Sequence, residues 1–249
     1  MAETKHQFPT EEVTLPSKGL LYPESSPLSK GVITMKYMTA REEDILTNQN
    51  LIANGTVIDK LIESLIVTPI DYNDLLVGDK NAILIAARIL GYGKDYEFNY
   101  NGEEISVDLT SIEDKPLDES LIKEGKNEFN FTLPTSKKEV TFKFLSHKDE
   151  KAIDAELKGL KKLNKNASAE VSTRLKHLIT SVNSDYEKST IREFVDTQLL
   201  AIDSRALRKY IADIQPDTNL TFKHEASNGD FIDIDIPINL NFFWPDAQV

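Results

Sequence analysis

The sequence predicts an α+β fold of two similar lobes, in which helices pack on small antiparallel β-hairpins. Residues 32–109 and 140–236 follow one order of elements: a short strand, an acidic helix start, more helix, and then a hairpin. This self-similarity indicates an internal duplication. The predicted strands also come in adjacent pairs, which favours antiparallel sheets over a parallel-sheet enzyme fold.

The first element is a leader that lies outside the predicted repeat. Between Phe8 and Pro23 it carries three prolines spaced through apolar residues. Prolines with this spacing favour an extended backbone, so we expect an arm that lies on a surface. The predicted organisation is therefore an arm over residues 1–31, a first lobe over 32–118 and a second lobe over 119–249.

Each lobe then opens with a strand that leads into a helix. Val32 to Tyr37 precedes Thr39, and Val140 to Phe144 precedes Ser146. Threonine and serine are good N-cap residues, and the acids that follow them suit the positive end of a helix dipole. We therefore predict that helices begin after Thr39 and after Ser146.

Each lobe closes with a hairpin. Asn101-Gly102 and Asn228-Gly229 tolerate the positive backbone dihedrals of a tight turn. The alternating strands Ile105 to Leu109 and Ile232 to Ile236 follow these turns and place one face on a core. A third hairpin, from Asn127 to Phe144, is predicted to open the second lobe.

Composition narrows the class of protein. The net charge is −12 and the sequence pI is near 4.9, which repels a phosphate backbone and argues against nucleic-acid binding. The absence of cysteine excludes disulfides and thiolate zinc sites. No apolar run approaches the roughly 20 residues of a membrane helix, so we expect a soluble protein that is not exported.

The basic stretch Lys158 to Lys165 is either a solvated helix end or a docking patch for an acidic partner.

Histidine spacing offers little support for catalysis or metal binding. None of the four histidines lies in the spacing that places two metal ligands on one helix face. His147 with Asp149 and Glu150 allows a general base, but these residues stand at a predicted helix start, where a capping sequence is the favoured interpretation.

Three aspartates crowd the last hairpin, namely Asp230, Asp233 and Asp235. A divalent ion is one possible ligand for them. The favoured interpretation is a solvated strand face, because the calcium-loop spacing with its glycine and terminal glutamate is absent. We therefore predict no metal, no cofactor and no enzymatic activity.

The chain ends in an aromatic cluster of Phe242, Phe243 and Trp244, which includes the only tryptophan. Such a cluster either caps the protein's own core or presents anchors to a partner, since both uses bury large aromatic area. Both alternatives stay open at this point.

Four segments carry a resemblance to the baseplate hub assembly proteins of T-even-type contractile-tailed phages. They are Leu15-Pro16-Ser17-Lys18-Gly19, the helix start Met38 to Asp44, Arg88 to Tyr92, and Phe242-Phe243-Trp244-Pro245. The resemblance covers most of the chain. Within that group, the length and the full second half are most similar to a chaperone-like assembly factor, and a hub-associated protein is the alternative.

The resemblance implies a non-enzymatic assembly factor in the host cell cytoplasm that binds hub or tape-measure proteins transiently. Exposed strand edges or a groove between the lobes would grip the client. The alternative is a structural hub subunit that is retained in the virion, and a third class is an enzyme with an unrecognised carboxylate site. The candidate partner-binding residues are Leu15, Pro16, Lys18, Tyr22, Phe242, Phe243 and Trp244.

The resemblance also implies a difference at the two hairpin tips. Relatives carry cysteine pairs there that suggest zinc ribbons, whereas this chain has Asn99 to Gly102 and His224 to Gly229. We therefore expect the tight turns and apolar strand faces to organise these hairpins without zinc.

Overall fold

A computed structural model describes residues 9–163, 168–225 and 229–244. Within these ranges, α-helices alternate with short antiparallel strands, which confirms the predicted α+β class. The strands are β1 (Thr10–Thr14), β2 (Val32–Lys36), β3 (Asp95–Tyr100), β4 (Glu103–Asp108), β5 (Phe129–Thr132), β6 (Glu139–Phe142), β7 (Ile179–Val182), β8 (Thr221–Glu225) and β9 (Phe231–Asp235). The helices are α1 (Ala40–Leu46), α2 (Gln49–Asn54), α3 (Val57–Leu65), α4 (Val77–Tyr92), α5 (His147–Leu163), α6 (Glu170–Leu178), α7 (Lys188–Glu193), α8 (Ala201–Ile214) and α9 (Leu240–Phe243).

The described strands form four small antiparallel sheets: β1 with β2, β3 with β4, β5-β6-β7, and β8 with β9. The turn between β3 and β4 uses Asn101 at φ 53° and Gly102 at φ 90°, which confirms the predicted Asn-Gly hairpin. Of the second predicted turn, Asn228 lies outside the described residues. The hairpin of β5 and β6 is also confirmed, but β7 was not predicted as its third strand.

Both predicted helix starts are confirmed. The backbone N–H and hydroxyl of Thr39 donate to Glu42, and those of Ser146 donate to Asp149. A lysine six residues before each acid pairs with it at 2.7 Å in both cases. The two strand-to-helix junctions are therefore closed by the same set of polar contacts.

One apolar core contains side chains from both halves of the chain. Its largest fully buried members are Phe142, Phe144, Phe194, Phe242 and Phe243. The helices and sheets of the two halves pack on this shared interior, and the division at residues 118 and 119 stays a prediction.

The leader departs from the predicted extended arm. Its residues 10–14 pair with β2 as a hairpin strand, and the following loop folds back so that the N–H of Leu15 donates to the carbonyl of Gly31 at 2.8 Å. Leu15, Leu21 and Leu28 are buried. The apolar residues between the prolines favour burial in the core over exposure on a surface arm.

Candidate interaction surface

The leader is anchored on a buried carboxylate at the start of α4. Asp79 accepts from the N–H of Ser17 at 2.9 Å, from the Ser17 hydroxyl at 2.7 Å and from the Tyr22 hydroxyl at 2.6 Å. Burial raises the pKa of Asp79, and these hydrogen bonds oppose that rise. Burial and the neighbouring Asp79 likewise raise the pKa of Tyr22. The leader is thereby part of the folded body.

An equivalent carboxylate lies at the start of α8. Asp203 accepts from the N–H of Thr135 at 2.8 Å and from the N–H of Ser136 at 3.0 Å. The predicted repeat pairs Asp79 with Asp203, since each begins a helical segment, but it missed that the segments bound to these aspartates also correspond in sequence. Leu15-Pro16-Ser17-Lys18 returns as Leu133-Pro134-Thr135-Ser136-Lys137, and each lysine has a positive φ, of 51° and 57°.

The structure places most of the predicted partner-binding residues inside the protein. Leu15, Pro16, Tyr22, Phe242 and Phe243 are buried. Their positions match the core-capping alternative that we had left open for the aromatic cluster.

Lys18 and Trp244 are the members of that set that reach the surface. Lys18 is exposed and pairs with Glu119 at 2.7 Å, and Trp244 is half-buried. Whether any of the seven residues contacts a partner stays a prediction.

The buried aromatic cluster supports two hairpins, which we call the hairpin pair: β3 with β4, and β8 with β9. The ring of Tyr96 meets the ring of Phe242 at 4.8 Å, and its hydroxyl donates to the carbonyl of Pro237 at 3.2 Å. The rings of Phe98 and Phe222 meet edge to face at 6.3 Å. The two hairpins thus face each other through aromatic side chains.

The two hairpins carry exposed acids and exposed aromatic rings. Phe231 is 70% exposed and Tyr100 is 37% exposed. Glu97, Glu104 and Asp233 are also exposed. An exposed aromatic ring among carboxylates is an anchor for a partner segment that carries both apolar and basic residues.

The aspartates of β9 lie where the favoured interpretation placed them. Asp233 and Asp235 are both on the exposed face of the strand, and the Thr221 hydroxyl donates to Asp235 at 2.6 Å. This confirms the solvated strand face. Across the described residues, no three His, Asp or Glu side chains come close enough to hold a metal ion.

The free edge of β3 is closed at its start and open further along. The buried guanidinium of Arg88 donates to the carbonyls of Gly93 at 2.9 Å and Asp95 at 3.1 Å. Beyond Asp95, no described strand pairs with this edge, which borders a cavity of about 710 Å³ lined by Glu97 and Asn99. An extended segment of a partner can add to such an edge through main-chain hydrogen bonds.

His147 lies at a junction between the two halves. Its ring packs on Tyr72 with the centroids 4.6 Å apart, and its Nε2 is 3.6 Å from Asp59. Burial and the nearby Lys80 lower the pKa of His147. Asp149 accepts from Ser146, which confirms the capping interpretation of this sequence.

A second cavity, of about 350 Å³, is lined largely by ionisable groups of the second half. Lys143 pairs with Asp149 at 2.7 Å, and Lys176 pairs with Asp196 at 2.7 Å. These charges are directed at one another, an arrangement typical of structural ion pairs.

The basic stretch is separate from this cavity. Lys158, Lys161 and Lys162 are exposed on the last turns of α5, and Lys165 lies outside the described residues.

Comparison with known families gives one result. The profile of the family described as T4 bacteriophage base plate protein matches residues 10–244. Searches of curated proteins and of solved structures returned no significant match.

In the part of the chain that the structure covers, no helix has the length and apolar character that crossing a bilayer requires.

Proposed function

Because the chain belongs to the T4 bacteriophage base plate protein family, we propose that it is a non-enzymatic assembly factor that promotes formation of the tail baseplate hub. It acts in the host cytoplasm by binding hub or tape-measure proteins transiently. The family match over residues 10–244 is the observation that carries the baseplate role. Membership in this family also implies contact with other baseplate proteins.

Transient binding requires a difference in affinity. The factor must bind the unassembled client more tightly than the assembled one, since equal affinities shift no equilibrium. A surface that pairs with an exposed segment of the client meets this requirement, because the segment becomes inaccessible once the next subunit covers it. The hub then displaces the factor as it forms.

The hairpin pair is the surface that supports this role best. The open edge of β3 offers main-chain groups, and Phe231 and Tyr100 offer apolar contact. The acids Glu97 and Glu104 favour a client segment with lysine or arginine. This client segment is extended, basic and partly apolar.

A second candidate is a structural subunit of the hub that stays in the virion. The family description, base plate protein, favours this alternative as directly as it favours the assembly factor. Both candidates bind baseplate components, so binding alone does not separate them. Retention in the finished particle does.

Co-expression with each candidate hub and tape-measure protein, followed by affinity capture of this chain, tests the binding. Wild-type protein should retain a client, and Phe231→Glu together with Glu97→Lys should lower the captured amount about tenfold or more. Leu163→Glu is the matched control, because Leu163 is 87% exposed at the end of α5. Failure of the wild type to capture any candidate would refute the proposal.

A further inference from the structure

The starts of α4 and α8 are similar in sequence and in backbone geometry. Leu75-Leu76-Val77-Gly78-Asp79 opens α4, and Leu199-Leu200-Ala201-Ile202-Asp203 opens α8. In each, the second leucine is the N-cap residue with extended backbone, and the aspartate binds the turn that follows a Leu-Pro sequence. The two starts therefore present the same backbone groups in the same order.

In the first half this start is covered by the second half. The N–H of Val77 donates to the carbonyl of Leu145 at 3.0 Å, and the N–H of His147 donates to the carbonyl of Leu75 at 2.8 Å. The two bonds form an antiparallel bridge centred on Leu76 and Ser146. The strand-to-helix junction of one half is thus the docking site for the helix start of the other.

In the second half the corresponding start is uncovered. Leu200 is 46% exposed and Ile202 is 63% exposed, whereas Leu76 is only 5% exposed. No described residue forms a hydrogen bond with the N–H of Ala201 or the carbonyl of Leu199. We call residues 199–202 the α8 patch.

The matching docking site in the first half is also uncovered. The capping contacts of Thr39 and Ser146 are equivalent, so residues 37–40 occupy the place of residues 144–147. Tyr37 is 36% exposed and Ala40 is exposed, while His147 is 4% exposed. We call residues 37–40 the β2–α1 junction.

We propose that the α8 patch of one copy docks on the β2–α1 junction of a second copy of this chain. The occupant is a second copy because the contact continues, between molecules, the one that joins the two halves within a molecule. The N–H of Ala201 would donate to the carbonyl of Met38, and the N–H of Ala40 to the carbonyl of Leu199. The contact joins two different surfaces, so copies associate head to tail into a ring or an open chain.

The proposed contact between copies differs from the contact within the chain at one position. Gly78 lies so close to the carbonyl of Pro216 that a Cβ would stand 1.9 Å from the oxygen. Ile202 stands in its place in α8, and Leu200 stands in that of Leu76, so the surface that the α8 patch offers to the β2–α1 junction is apolar. Its small apolar area makes the association weaker than the covered contact within the chain.

Sedimentation velocity over a wide concentration range tests the proposal. Wild-type protein should associate reversibly. Leu200→Glu with Ile202→Glu, and separately Ala40→Arg, should each weaken the association about tenfold or more, because a charge is placed in an apolar contact. Leu163→Glu, at an exposed leucine on another helix, should associate like the wild type. A wild type that stays monomeric, or variants that associate as strongly as the wild type, would overturn the proposal.

Mixing the two damaged variants tests the head-to-tail geometry. Each retains the surface that the other lacks, so the equimolar mixture should form a dimer and nothing larger. A mixture that stays monomeric would overturn the proposal, and so would one variant that associates with itself, as a symmetric contact through its undamaged surface would allow.

A disulfide tests the register. The chain has no cysteine of its own, and the bridged pair of an antiparallel contact brings Cα atoms to about 4.5 Å, within disulfide reach. Thr39→Cys combined with Leu200→Cys should link copies under oxidation. Thr39→Cys combined with Leu163→Cys should leave them unlinked. Equal linking of both pairs would contradict the register.

Discussion

Asp79 and Asp203 are buried at equivalent places in the two halves and differ in their electrostatics. Asp79 binds one backbone amide and two hydroxyls, and burial raises its pKa. Asp203 is also buried, but the amides of Thr135 and Ser136 hold its pKa below the ordinary value. The same scaffold position thus carries a destabilised charge in one half, where burial outweighs the hydrogen bonds, and a stabilised charge in the other, where the hydrogen bonds outweigh burial.

The surfaces beside these aspartates also differ, in how far they are exposed to solvent. The start of α4 is sealed by the second half, and the start of α8 is open to solvent. Shared contacts persist at these positions where the side chains have changed, and the duplication stays a prediction. One half therefore uses the position for an internal contact, while the other leaves it exposed.

Removal of each aspartate should give the largest difference between the halves in the free energy of unfolding. Asp79→Ala leaves buried donors of Ser17 and Tyr22 without an acceptor, so the free energy of unfolding should fall by about 3 kcal/mol or more. Asp203→Ala should cost less, because the turn at Thr135 is exposed and water can replace the carboxylate. Urea unfolding followed by circular dichroism measures both. Equal losses would contradict the difference in enclosure.

Substitution of the residue before each aspartate compares the sealed start of α4 with the open start of α8. Gly78→Ala forces a Cβ into the carbonyl of Pro216 and should lower the free energy of unfolding by about 1–3 kcal/mol, despite the higher helix propensity of alanine. Ile202→Ala should change it by less than about 0.5 kcal/mol, because Ile202 is exposed. A tolerated Gly78→Ala would show that the two halves are not tightly packed there.

The pH dependence of unfolding should have opposite signs for the two sites. Asp79 has a pKa above its usual 3.8, so its contribution to stability is present at low pH and is lost as pH rises through its folded pKa. Asp203 has a lowered pKa, so its contribution is present above 3.8 and is lost as pH falls through its folded pKa. Urea unfolding of the wild type, Asp79→Asn and Asp203→Asn at several pH values isolates each contribution. Curves that shift in the same direction would refute the comparison.

The helix caps at Thr39 and Ser146 should show the smallest difference in their contribution to the free energy of unfolding. Glu42→Ala and Asp149→Ala each remove the acid of a capping box and should lower the free energy of unfolding by about 1 kcal/mol. Similar values would support a common origin of the junctions. A cost at one site alone would show that the contacts resemble each other in geometry and differ in energy.

Local chemistry predicted the elements that depend on neighbouring residues. The Asn101-Gly102 turn, the caps at Thr39 and Ser146 and the exposed acids of β9 each follow from a few adjacent side chains. The α+β class followed from the pairing of short strands. These features need no information from distant parts of the chain.

Features that depend on distant contacts were missed. The leader was predicted as an arm because its prolines are visible in the sequence, whereas its anchor, Asp79, lies 62 residues from Ser17. β7 follows α6 without a turn signal, so residues 179–182 did not stand out as a strand. Aromatic residues suit a core and an interface equally, which is why Phe242 and Phe243 were candidates for partner binding although they are buried.

The amount of this protein in assembly intermediates and in finished tails tests the proposed role most directly. Mass spectrometry with isotope-labelled reference peptides would quantify it against a hub protein in both fractions from infected cells. The account predicts that the chain accompanies hub intermediates and is absent from purified tails. A fixed ratio to the hub protein in finished tails would contradict it and would establish a structural subunit.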